Sequence, residues 1–106
     1  MSPLAAALHT LVCRRIKARQ GVLRLYQYLY APQLTSFEEV TRLCDLGPED
    51  KHLLLELAAL PIPQLDEIIK NDLELYRAGH GLNRADHEYF ENTLRHTAEV
   101  LIAPPV

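Results

Sequence analysis

Proline stands at positions 3, 32, 48, 61, 63, 104 and 105, and the stretches between carry apolar residues three and four apart. That punctuation leaves helices joined by short connections as the regular architecture open to the chain. Alternation of apolar and polar residues never lasts more than a few positions, no internal repeat appears, and no low-complexity tract intervenes. The chain has 106 residues, four glycines and no tryptophan. It is expected to fold as one domain, residues 1–106, all-α, in a four- or five-helix bundle that buries roughly 65% of its unfolded surface.

Local signals divide the chain further. Ser2 before Pro3 reads as a cap and first turn, because the N–H that proline lacks would be unpaired there anyway. From Leu4 the pattern continues to Pro32, with Leu4, Leu8, Leu11, Val12, Val22, Leu23, Tyr26, Leu29 and Tyr30 on one broad face. Ser36 with Glu39 three residues on is a capping box for a short second helix ending at Gly47. Pro48, Glu49 and Asp50 open a third helix, whose leucines encircle it and make it the expected central element. Pro63 begins a fourth that Gly79 should end. Asn83 and Asp86 cap a fifth, with a stripe of Phe90, Leu94, Thr97, Ala98 and Leu101, ending near Ala103 before Pro104 and Pro105.

Unbroken from Pro3 to Tyr30, the first helix would be about 42 Å long at 1.5 Å per residue. A domain of this size has a radius of gyration of about 13 Å. The helix must therefore bend near Gly21 or overhang its own core. The overhang, covered by a second copy in a homodimer, is the expectation adopted.

Charge is divided along the sequence. Residues 1–36 contain no Asp or Glu and hold five bases between Arg14 and Arg24. Residues 1–46 sum to +3 and residues 47–106 to −6, within a net charge of −3. Basic and acidic halves attract, either within one molecule, across a dimer, or toward an acidic partner. Arg15 and Arg19 fall inside the apolar arc of the first helix. Either their stems pack at its edge with the heads in water, or they make charge-assisted contacts across a subunit or partner interface. Tyr26, Tyr28 and Tyr30 alternate, so at least one ring should stay exposed near the end of the helix, and the cluster serves either as an interface anchor or as packing of the helix end. Leu8, Leu11, Arg15, Arg19, Leu23, Tyr26 and Tyr30 are accordingly expected to carry self-association or partner capture.

Covalent chemistry finds little to work with. No nucleophile elbow, phosphate-cradling glycine loop, paired Cys-x-x-Cys or His-Glu-x-x-His occurs, so the chain is expected not to be an enzyme and to need no cofactor. His9 and Cys13 share a helical face, but two ligands do not hold zinc and Arg14 and Arg15 would repel it. His87, Glu88, Glu91 and His96 are read as polar side chains on the solvent side of a surface helix, since His96 points away from the others. Residues 39–57 imitate a helix-turn-helix, yet the would-be recognition helix opens with Glu49 and Asp50 where phosphate contacts call for bases. Direct nucleic-acid binding is not expected. Cys13 and Cys44 without an export leader point to free thiols in the cytoplasm, and no run is long enough to span a membrane.

The segment Leu60, Pro61, Ile62, Pro63, Gln64, Leu65, Asp66, Glu67, Ile68, continuing as an amphipathic helix to Arg77, resembles the Leu-Pro-led helix of TraM-type quorum-sensing anti-activators, and in length and all-helical character the chain resembles small anti-activators of the QslA type. The resemblance implies a cytoplasmic, dimeric helical protein that sequesters a LuxR-type transcription activator by stoichiometric protein contact. The alternatives are a secretion chaperone or adaptor and a helix-turn-helix DNA-binding regulator.

Overall fold

The computed structural model describes residues 2–102, with the backbone alone at Ala98, Val100, Leu101 and Ile102. The expected stop near Ala103 and the side chains of Ala98 and Leu101 lie outside the described residues. Among the described residues the fold is all-helical: α1 (Pro3–Thr10), α2 (Arg19–Tyr30), α3 (Phe37–Cys44), α4 (Pro48–Ala58), α5 (Ile62–His80) and α6 (Arg84–Ile102). The three caps read from sequence are in place. Ser2 Oγ accepts from the Ala5 N–H at 3.2 Å, Ser36 Oγ from Glu39 at 3.3 Å, and Asn83 Oδ1 from Asp86 at 2.8 Å.

The long first helix does not form. α1 runs into a wide π-helical turn, Leu11–Arg15, closed by the Ile16 N–H on the Leu11 carbonyl at 3.1 Å. The chain then extends at Ile16 (φ −88°, ψ 118°) and Ala18 (φ −94°, ψ 129°) before α2 begins. The bend lies ahead of Gly21, in a stretch without glycine or proline, so tertiary packing and not local propensity sets it. Burying Leu8, Leu11, Val12 and Ile16 is worth about 1.5–3 kcal/mol per side chain. Each helical hydrogen bond given up costs about 1 kcal/mol. Burial wins, and all four side chains are inside. The radius of gyration is 13.1 Å, with no overhanging rod, so the reason to expect a covering second copy disappears.

α2 and not α4 is the central helix, because α3, α4, α5 and α6 all pack on it. Its buried residues go round the axis, from Gly21, Val22 and Leu23 to Tyr30. α4 has neighbours on one side only, so Leu54 and Leu57 are buried while Leu55 is half exposed. Tyr26, Tyr28 and Tyr30 are all buried, contrary to the expectation of one free ring. Each meets a different neighbour, and Tyr28 stacks on Phe37 of α3 with ring centroids 5.3 Å apart.

Two helix stops also move. α3 ends at Asp45, which takes the left-handed conformation (φ 52°) that aspartate tolerates better than most residues. The Leu46 N–H then reaches the Thr41 carbonyl at 3.0 Å, and Gly47 serves as the N-cap of α4. α5 passes through Gly79 and stops at Gly81, whose φ is 62°.

At Gly21, α2 packs closely against Ile16 and Cys44. A Cβ there would lie 3.2 Å from Ile16 Cγ2 and 3.3 Å from Cys44 Sγ, whose thiol donates to the Gly21 carbonyl. We expect Gly21→Val to cost about 2 kcal/mol through overpacking, measured as a lower denaturation midpoint with an unchanged denaturant slope.

Candidate functional site

Of the seven residues expected on an exposed interface, five are buried and only Arg15 and Arg19 are exposed. Leu8, Leu11, Leu23, Tyr26 and Tyr30 belong to the chain's own core. Arg15 holds Asp50 through two hydrogen bonds of 2.8 and 2.6 Å, and Arg19 pairs with Asp86 at 2.7 Å. As a free apolar face the expectation is corrected, because the bend at 16–18 turns that face inward. The charge division between the two halves is met within one molecule by these pairs.

Behind the bend lies a polar network of which the sequence indicated only the pairing of His9 with Cys13. Asp72 of α5 is buried and accepts a short hydrogen bond from the Tyr26 hydroxyl. His9 Nδ1 lies 3.2 Å from Asp72 Oδ1 and 3.2 Å from Cys13 Sγ. Burial raises the Asp72 carboxyl above its ordinary range, with Tyr26 and His9 pulling the other way. Burial and then the Asp72 charge push Tyr26 far above the usual phenol range. At the edge of the network the exposed His80 ring meets the Cys13 carbonyl at 3.1 Å, pairing an acceptor that the interrupted helix leaves free.

This Cys-His-Asp cluster is not arranged for nucleophilic catalysis. A relay needs the thiol on one ring nitrogen and the carboxylate on the other. Here both meet Nδ1, and since a carboxylate only accepts, that nitrogen is assigned as the donor to Asp72. It cannot also take the thiol proton. Burial and the Asp72 charge raise the Cys13 pKa, opposite to an activated thiol. Cys44 is buried and pushed up to about 11. Both cysteines are free.

The more accessible feature is a groove of about 490 Å³ where α5 and α6 diverge around the end of α2. Tyr30, Ile69, Leu73 and Leu94 supply apolar walls, and Asp66, Lys70, Glu74, Glu91 and Arg95 supply charges of both signs. Tyr30 alone of the seven expected residues borders it, donating to Asp66 at 2.6 Å. Burial raises Asp66, but the hydrogen bonds from Tyr30 and Lys70 and the Lys70 charge outweigh it and leave the carboxyl below its usual range. Arg19 and Leu23 border a second groove of about 420 Å³ between α2 and α6, beside the exposed Tyr89.

Of the histidine-acid cluster on α6, Glu88 pairs with Arg84, while His87 and Glu91 are joined from α5 by Glu74. In the would-be helix-turn-helix, Asp50 is buried under Arg15 and the accessible acids of α4 are Glu49 and Glu56. No helix of the described residues is long and apolar enough to cross a membrane. Comparison with protein-family models, with characterised proteins and with solved structures returned no match.

Proposed function

We propose that this protein is a non-catalytic regulator that works by binding a protein partner stoichiometrically, and that the α5–α6 groove is the surface it uses. The observation carrying this reading is the groove itself. Apolar walls flanked by Lys70 and Arg95 as well as Asp66, Glu74 and Glu91 suit an amphipathic segment with apolar anchors and charges of both signs at its margins. The segment that resembles TraM-type anti-activators, Leu60 to Arg77, includes most of α5 and forms one side of the groove. A LuxR-type transcription activator is therefore the first partner to test. A single chain is the binding unit in this reading, since the overhang that called for a homodimer is gone. Two free cysteines fit a cytoplasmic setting.

Capture from the native cell with the tagged full chain tests the proposal. Lys70 and Arg95 are exposed, so Lys70→Glu with Arg95→Glu leaves the core untouched. The double variant should retain less than a tenth of the partner that the wild type holds, while Lys17→Glu on the amino-terminal segment should retain it all. A partner released by Lys17→Glu and held by the double variant would remove the groove from the account.

A further inference from the structure

We propose that Glu74, His87 and Glu91 form a binding site for one divalent transition-metal ion of the zinc class. His87 and Glu91 lie one turn apart on α6, and Glu74 reaches them from α5. His87 Nε2 is 2.9 Å from Glu91 Oε1 and 3.4 Å from Glu74 Oε1, and the three ligand atoms all lie within 4.8 Å of one another. Zinc bonds of about 2.0–2.2 Å place tetrahedral ligands about 3.4 Å apart. Two of the three separations are already near that value. The third closes by rotation of the glutamates, whose side chains are 59% and 46% exposed.

The imidazole decides the class of ion. An all-oxygen cluster would suit magnesium or calcium, whereas one imidazole with two carboxylates favours zinc and its neighbours. Two carboxylates and a neutral ring also balance a double positive charge. Arg77 competes weakly for Glu74, at 3.8 Å. The His87 side chain is only 13% exposed, so burial fixes the ring with Nε2 toward the carboxylates. Its Nδ1 is buried without a hydrogen-bond partner among the described residues. Metal-bound histidines are usually oriented by such a partner, and its loss typically weakens binding 10–100-fold. The ion is therefore held about 10–100-fold more weakly than at a site with an oriented histidine, with water completing the shell. It would join α5 to α6, two helices that otherwise pack chiefly on other elements.

The test is calorimetric titration of metal-free full-length protein with zinc, paired with the absorption spectrum of the cobalt form. One ion per chain should bind saturably. Glu74→Gln and Glu91→Gln, at exposed positions, should each weaken binding at least about tenfold with unchanged circular dichroism. Cys13→Ser should have no effect, and magnesium should not compete. Cobalt should show tetrahedral bands without a thiolate charge-transfer band. Absence of saturable zinc binding, binding indifferent to both glutamine variants, equal binding of magnesium, or a thiolate band lost in Cys13→Ser would each overturn the proposal.

Discussion

Tyr26→Phe is expected to destabilise the fold by about 2–3 kcal/mol at neutral pH, the worth of a buried hydrogen bond to a charged group. Nothing else about the ring changes, so the loss isolates the hydroxyl that Asp72 accepts. The effect should depend on pH in a defined direction. Asp72 in the folded protein sits above its ordinary value of 3.8 because burial outweighs its hydrogen bonds. A group raised in this way binds its proton more tightly in the folded state. Its favourable contribution is complete below the unfolded value and is lost as pH rises through the folded one. Removing the Tyr26 hydroxyl takes away a contact that lowers Asp72 and raises it further. The cost of Tyr26→Phe should therefore be greatest at pH 7 and shrink toward pH 4. Asp72→Asn, which keeps an acceptor for Tyr26 without the charge, should remove this contribution to the pH slope. Urea titrations of the three proteins at several pH values check the prediction, and a cost independent of pH would contradict it.

Arg15→Ala is expected to cost about 2 kcal/mol, and Arg19→Ala less than about 1 kcal/mol, although both remove an arginine from an ion pair. The difference lies in the partners. Asp50 is 4% exposed and accepts from both Arg15 nitrogens and from the Gly47 N–H at 3.2 Å, so losing Arg15 strands a buried carboxylate at the start of α4. Asp86 is partly exposed, its side chain 39%, so water can replace Arg19. The Arg15 side chain is itself half exposed, which keeps the figure below the 3–5 kcal/mol of a fully buried pair. Arg15→Lys should recover only part of the loss, because an ammonium cannot reproduce the two-pronged contact. Equal effects of Arg15→Ala and Arg19→Ala in chemical denaturation would refute this ordering.

Three helix starts were legible in the sequence because caps are local chemistry: Ser2, Ser36 and Asn83 do what a serine or asparagine does at a helix start. The break at 16–18 was not legible. Arg14 to Arg19 contains good helix formers, and only the core that forms later makes extension there favourable. The assumption of an unbroken helix then exported Leu8, Leu11, Leu23, Tyr26 and Tyr30 to the surface. Asp72 carried a signal that periodicity could have found, since it falls on the same α5 face as Leu65, Ile69 and Tyr76, all buried. Asp50 likewise precedes Leu54 and Leu57 by four and seven residues. A carboxylate at an apolar position implies a buried partner, and the arginines inside the apolar arc of the amino-terminal segment were the matching sign. Glu74 gave no such signal. It lies on a polar face, and its approach to His87 depends on the path of the turn between α5 and α6.

Everything proposed for the α5–α6 groove presupposes that the basic amino-terminal segment is an interior wall. Backbone carbon chemical shifts of the full-length protein in solution test this most directly. Helical shifts over 3–15 and 19–30, separated by extended shifts at Ile16 and Ala18, are the predicted result. Unbroken helical shifts from Arg14 through Gln20 would restore the rod and contradict the account.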